Sequence, residues 1–338
     1  MLKSATKTNY RLPGLDGIRG LAVAWVVFCH VYPWDESLLG MLAARGGYGV
    51  QIFFVLSGFI ITNLLLREEA NFGKVSLANF YLRRSVRILP VVCVFLLSML
   101  ALDVAGFIDI PALDYVSSLT FWRNFEVSAN RITGHLWSLS VEEQFYILWP
   151  VLFVVARKRT LRIILCVTLL IVARTAVSVL PNLGVPRHVV AKANYAPIMT
   201  GALLAVLVYD RKYPPRIVNG MGLVAVPILI ACISVYGTGS SAVNLFASML
   251  GYACIAAVIY AAAYGNEWLA RAMEWKPLKL LGLVSYSLYV WQQPFCFWPG
   301  GLTLWAKAVA IAGCTLVSYW LVERPTMRLS KRFFSVVR

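Results

Sequence analysis

Apolar residues in this chain gather in long runs rather than in stripes. The runs lie near 16–34, 47–66, 88–108, 136–156, 161–180, 194–209, 217–236, 242–264, 279–298 and 301–322. Each approaches the roughly 20 residues that a helix needs to cross a bilayer. Inside a bilayer every backbone N–H and C=O must be satisfied within the protein, so runs of this length predict helices. The sixth run is short, and the fourth and ninth carry several polar residues, so hydropathy alone scores those three weakly. The pattern predicts an all-α, polytopic membrane protein with about ten transmembrane helices.

Composition agrees. The 338 residues are 60% hydrophobic and 14% charged, with a mean hydropathy of +0.73; soluble chains carry about 25% charge. A net charge of +16 would point to nucleic acid in a soluble protein. Here 24 of the 31 Lys and Arg residues fall in alternate connections, from Lys3, Lys7, Arg11 and Arg19 to Arg324, Arg328, Lys331, Arg332 and Arg338. The opposite connections hold only Arg45, Arg123, Arg131, Arg187 and Lys192, so the charge reads as orientation, with both termini cytoplasmic and no nucleic-acid partner. The polar start, Met1 to Arg11, and the charges in the first run predict a retained first span rather than a cleaved signal. The seven cysteines, Cys29, Cys93, Cys166, Cys232, Cys254, Cys296 and Cys314, all sit in apolar runs without metal-ligand spacing, so neither disulfide nor metal is expected. The longest connection outside the membrane, near 109–135, has room for a short interfacial helix. The basic tail, 328–338, reads as lying along an anionic surface.

Against this background the ionisable groups inside spans stand out, because they are costly there and usually face a protein or water-filled interior. Asp16, Arg19 and His30 share the first run. At about 100° per residue, the eleven steps from Arg19 to His30 end about 20° past three turns, roughly 16 Å along the helix. Asp16 falls near the same stripe. A neutral imidazole at that depth suits a general base. His188, after Pro186, reads as a surface loop residue. Ser57-Gly58 suits close helix packing, and with no GxSxG elbow Ser57 is not a nucleophile. Arg83, Arg84 and Arg87 gather on one helical turn before Pro90. They serve orientation equally well as a polyanion such as a nucleotide phosphate.

In GHLWSLSVEEQFYILWP, His135, Ser138, Glu142 and Tyr146 form one polar stripe, with Glu143 beside it. The ninth run holds Ser285, Ser287, Tyr289, Gln292 and Gln293, and the tenth ends VERP with Glu323. Serines there serve helix hydrogen bonds equally well, the tyrosines an interfacial belt, and Glu323 a local ion pair. A transport pathway would need similar residues, so catalysis and transport stay open at this point.

The segment RLPGLDGIRGLAVAWVVFCH resembles the opening of the acyltransferase family 3 membrane proteins, marked by Arg or Lys, ten residues, then His. FFVLSGFIIT, FYLRRSVRILP, GHLWSLSVEEQFYILWP, SYSLYVWQQP and VERP resemble the later blocks of that family, in order, from about residue 10 to residue 327. The resemblance implies transfer of an acyl group, commonly acetyl from acetyl-CoA, to a hydroxyl of a cell-surface or secreted carbohydrate or a lipid-linked glycan. It places the protein in the bacterial cytoplasmic (inner) membrane. His30 would be the catalytic histidine with Arg19 its partner, and Asp16, Glu142 and Glu143 would complete the catalytic set. Arg83, Arg84, Arg87 and Ser57 would hold the donor, while His135, Ser138, Tyr146, Ser285, Tyr289, Gln292 and Glu323 would line the substrate site. Many members have a histidine soon after SYSLYxW, where this chain has Gln292. Some carry a fused soluble domain, which is not expected here. A flippase for an anionic sugar lipid, or an acyltransferase acting on an antibiotic, are the competing expectations.

Overall fold

The computed structural model describes residues 12–32, 35–126, 130–210, 215–235, 240–265 and 268–336. Among these there is no β-strand, and the helices run in order as α1 Leu15–Val31, α2 Leu38–Ala43, α3 Gly47–Phe72, α4 Leu77–Val104, α5 Ala112–Leu119 and α6 Leu136–Val155. Then come α7 Arg159–Val179, α8 Arg187–Lys192, α9 Ala196–Val208, α10 Pro215–Val235 and α11 Ser241–Tyr264. The series closes with α12 Trp268–Met273, α13 Lys276–Leu283, α14 Ser285–Cys296, α15 Leu304–Ser318 and α16 Arg324–Val336. A π-helical turn, Tyr319–Glu323, joins α15 to α16 without a break. Hydroxyl caps start several of the helices: Ser37, Ser76, Ser240 and Thr303 each accept a hydrogen bond from the backbone N–H three residues on. Gly73, at φ 70°, ends α3 in the left-handed conformation that a side chain would resist.

Eight helical segments among the described residues are long and apolar enough to cross a membrane. They coincide with eight of the ten predicted runs. The other two runs became α1, only 17 residues long, and the α13–α14 pair. The predicted continuous span over 279–298 is therefore corrected to two helices meeting at Val284. Ser285 Oγ donates to the Gly282 carbonyl at 2.9 Å, taking up a backbone acceptor where the helix breaks. The third predicted span, near 88–108, also begins earlier than hydropathy indicated. Pro90 sits inside one continuous α4, so Arg83, Arg84 and Arg87 lie on the spanning helix itself rather than ahead of it. His188 is exposed, as expected, but on the short helix α8 rather than in a loop. The interfacial helix allowed for in the 109–135 connection is α5. Of the orienting charges, Lys3, Lys7, Arg11, Arg211, Lys212 and Arg338 lie outside the described residues, as do the side chains of Arg216, Lys331 and Arg332.

α3 is the axis of the bundle: 67% of its most apolar window is buried, against 11% for α7 at the lipid-facing edge. It packs most extensively on α9, and glycines set that crossing. A Cβ at Gly58 would collide with the Ile198 carbonyl, and one at Gly201 with the Val55 carbonyl. A second close crossing brings α13 onto α1, where Gly282 meets the Asp16 backbone and Gly20 meets Leu278. This contact covers the polar helix α1 with protein, which is how its charges are tolerated at membrane depth.

Candidate active site

Two polar stripes each cover eleven helical steps, Arg19 to His30 on α1 and His135, at the start of α6, to Tyr146. The two stripes run antiparallel and match at both ends. Arg19 lies within electrostatic reach of Glu142 and Tyr146, and His135 within reach of His30.

At the Arg19 end, Asp16 Oδ1 meets Arg19 Nη1 at 3.4 Å. Glu142 Oε1 accepts from Ser57 Oγ at 2.8 Å, and Oε2 accepts from the Tyr146 hydroxyl at 3.2 Å. The charges of Arg19 and Arg84 both act on that carboxylate. Arg84 leans over the Tyr146 ring at 5.5 Å, and Arg87 stands beside Arg19 and Glu323. Among the described residues neither Arg84 nor Arg87 forms an ion pair, so two guanidinium forks are open next to a third. The structure does not bring Arg83 into this group, because Arg83 is paired with Glu68 at 3.1 Å. Ser57 is committed to Glu142 rather than to open space. Glu143 is buried, flanked by Glu142 and Arg84, and its Oε1 has no hydrogen-bond partner among the described residues.

Glu323 does not pair with the adjacent Arg324, whose guanidinium stacks on Trp320 at 3.9 Å. The wide π turn points its carboxylate inward instead, where Ser287 Oγ donates to it at 2.6 Å. Such turns recur at functional sites. Tyr286 belongs to the same group, its hydroxyl donating to the Ile88 carbonyl at 2.8 Å. Sequence reasoning passed over Tyr286, because an aromatic in an apolar run reads equally well as an interfacial belt.

At the His30 end, Gln292 is fully buried and its Oε1 sits 3.0 Å from His30 Nδ1. A carbonyl oxygen only accepts, so Nδ1 carries the proton and Nε2 is left as the basic nitrogen. Gln292 Nε2 is a buried donor with no partner among the described residues. His135 is held by a different device. Pro294 in α14 has no N–H to give to the Val290 carbonyl one turn back, and His135 Nε2 donates to that carbonyl at 2.9 Å. Its ring lies between Phe95 and Tyr289. Tyr289 donates to the His135 carbonyl at 2.9 Å and shares a 2.5 Å hydrogen bond with Ser138. Ser285 bonds back across the α13–α14 break and does not join either end.

The connection before α6 braces this end. Asp114 and Arg123 form a fully buried ion pair at 2.8 Å. Burial pulls the Arg123 guanidinium below the usual arginine range, and the Asp114 carboxylate works against that shift. Among the described residues no group of three His, Cys, Asp or Glu side chains is arranged to hold a metal ion, and none of the seven cysteines is joined in a disulfide.

Known proteins are similar to this chain over most of its length. YrhL of Bacillus subtilis is 29% identical over 98% of this chain and 57% of its own length. The peptidoglycan O-acetyltransferase OatA of Listeria monocytogenes is 29% identical over 87% of this chain and 51% of its own. The O-acetyltransferase OatA of Staphylococcus aureus is 26% identical over 96% and 58%. The chain thus spans about half the length of the curated relatives it matches. No solved structure gives a significant match. Residues 12–328, which include every side chain at both ends of the site, match the acyltransferase domain that defines acyltransferase family 3, and the chain belongs to that family.

Proposed function

We propose that this chain is a membrane-embedded O-acyltransferase that moves an acyl group, most simply acetyl, from acyl-CoA to a carbohydrate hydroxyl. The observation that carries the reading is the end-to-end match of the α1 and α6 stripes, with Arg84 and Arg87 outside any ion pair among the described residues at one end and an oriented imidazole at the other. The arginine end suits a donor rich in phosphate, since guanidinium groups bind phosphate oxygens in pairs. The distance between the ends, roughly 16 Å along α1, is then spanned by the donor's pantetheine arm, which delivers the thioester to His30. The alternation of basic connections supports an arginine end facing the cytoplasm and a His30 end facing outward, in a bacterial cytoplasmic membrane like that of the relatives' hosts.

In this reading His30 Nε2 takes the proton of the acceptor hydroxyl as its oxygen attacks the thioester carbonyl. The C–S bond then breaks, the new C–O ester bond remains, and the departing thiolate recovers the proton from His30. Gln292 contributes twice. Its Oε1 holds the reactive tautomer, and its Nε2, without a partner among the described residues, is a donor for the carbonyl oxygen as charge develops there. Glu142, Arg19 and Asp16 set the charge balance around the donor rather than touching the reacting carbon. The names of the relatives make a peptidoglycan-type glycan the first acceptor to try.

The test is transfer of labelled acetyl from acetyl-CoA to glycan by membranes carrying the full chain. His30→Ala, expressed at the native level, is expected to abolish it. Full retention would remove His30 from the chemistry.

A further inference from the structure

Gln292 and Gln293 are neighbours on α14, and both amides act at the His30 end. Gln292 holds the imidazole, while Gln293 Nε2 donates to the Arg131 carbonyl at 2.6 Å. The Arg131 guanidinium lies over the Phe297 ring at 4.6 Å, and Phe297 meets the His30 ring edge-on with centroids 6.0 Å apart. Arg131 is therefore fixed through both its backbone and its side chain, one ring away from His30. It is exposed, and among the described residues it forms no ion pair. Its charge reaches His30. A second cation, Lys307 on α15, acts on Cys296, one turn from Gln292. An arginine needed only for packing has no use for an open fork beside a base. One held over an aromatic face is preorganised for the paired oxygens of an anion.

We propose that Arg131 and Phe297 form an anion-binding subsite beside His30, and that the acceptor is an anionic saccharide whose carboxylate seats on Arg131 while its hydroxyl reaches His30. The role of the hydroxyl rests on the acyl-transfer reading above; the subsite itself does not. The ligand chemistry is a carboxylate or phosphate oxygen pair, which a saccharide acid and a lipid headgroup can both supply.

The experiment is binding, and it needs no turnover. The full chain in phosphatidylcholine nanodiscs is titrated with N-acetylglucosaminyl-N-acetylmuramic acid and with its methyl ester, two probes that differ by one charge. The acid is expected to bind about tenfold tighter or more, the equivalent of one charge-assisted contact. Arg131→Gln should bring the ratio to about one, and Arg131→Lys, which keeps the charge without the planar fork, should retain part of it. The preference should fall as salt rises. Equal binding of acid and ester by the native chain, or binding of neither, overturns the proposal. Repeating the titration in discs containing phosphatidylglycerol separates the two sources. A preference that survives supports the saccharide, and one that vanishes assigns the subsite to lipid phosphate and overturns it. If the binding preference is intact but neither probe is acetylated, the acyl-transfer reading fails and the subsite stands.

Discussion

Replacing Gln292 by Met removes both polar functions of a fully buried side chain while nearly keeping its volume, so its effect separates two contributions. Losing the 3.0 Å hydrogen bond to His30 Nδ1 releases the imidazole from its tautomer and orientation. A net contribution of about 0.5–1.5 kcal/mol for such a bond corresponds to roughly a 2- to 13-fold loss in rate. If Nε2 also donates to the developing oxyanion, the loss is larger, about 100- to 1000-fold, as for one oxyanion donor. Among the described residues the Nε2 group has no partner to lose, so thermal stability is expected to stay within about the 0.5–1.5 kcal/mol of the one lost bond. The assay is release of free CoA thiol by the reconstituted protein, with kcat and KM for the donor measured separately. The fall is expected in kcat, with the donor KM unchanged because the arginines lie at the other end. Unchanged kcat in Gln292→Met would refute the coupling between Gln292 and His30.

Other outcomes follow from the same geometry. Arg84→Gln and Arg87→Gln should each raise the KM for acetyl-CoA about tenfold, and the effect should shrink at high salt; a KM unmoved in both would place the donor elsewhere. Asp114→Asn strands the Arg123 guanidinium, whose partner sits at 2.8 Å with both side chains at most 1% exposed. Thermal unfolding in detergent should show a loss of about 3–5 kcal/mol, largely recovered in Asp114→Leu/Arg123→Met. Gly201→Leu drives a side chain into the Val55 backbone and should lower the folded yield and melting temperature, whereas Gly47→Ala, which meets open space, should not. Ser287→Ala removes the 2.6 Å donor to Glu323 and should reduce kcat several-fold, at the scale of one hydrogen bond to a charged group.

The amino-acid sequence by itself determined whatever depends on position along one helix. Run length gave the helices, and helical periodicity put Arg19 in line with His30 and His135 in line with Glu142 and Tyr146, since residues three, four, seven or eleven apart share a face. The same local rule failed where packing decides. It did not foresee the break at Val284, the continuation of α4 through Pro90, or the inward turn of Glu323. Arg83 and Arg84 are adjacent in sequence, yet one is spent on Glu68 and the other faces the site. Only the tertiary structure decided that the two stripes run antiparallel and meet at both ends. It alone placed Gln292, 262 residues from His30, as the partner of its ring, and the Val290 carbonyl freed by Pro294 as the acceptor for His135. Those pairings join chain segments far apart in sequence, and they follow from which helices can approach closely at glycines, something no single-helix period encodes.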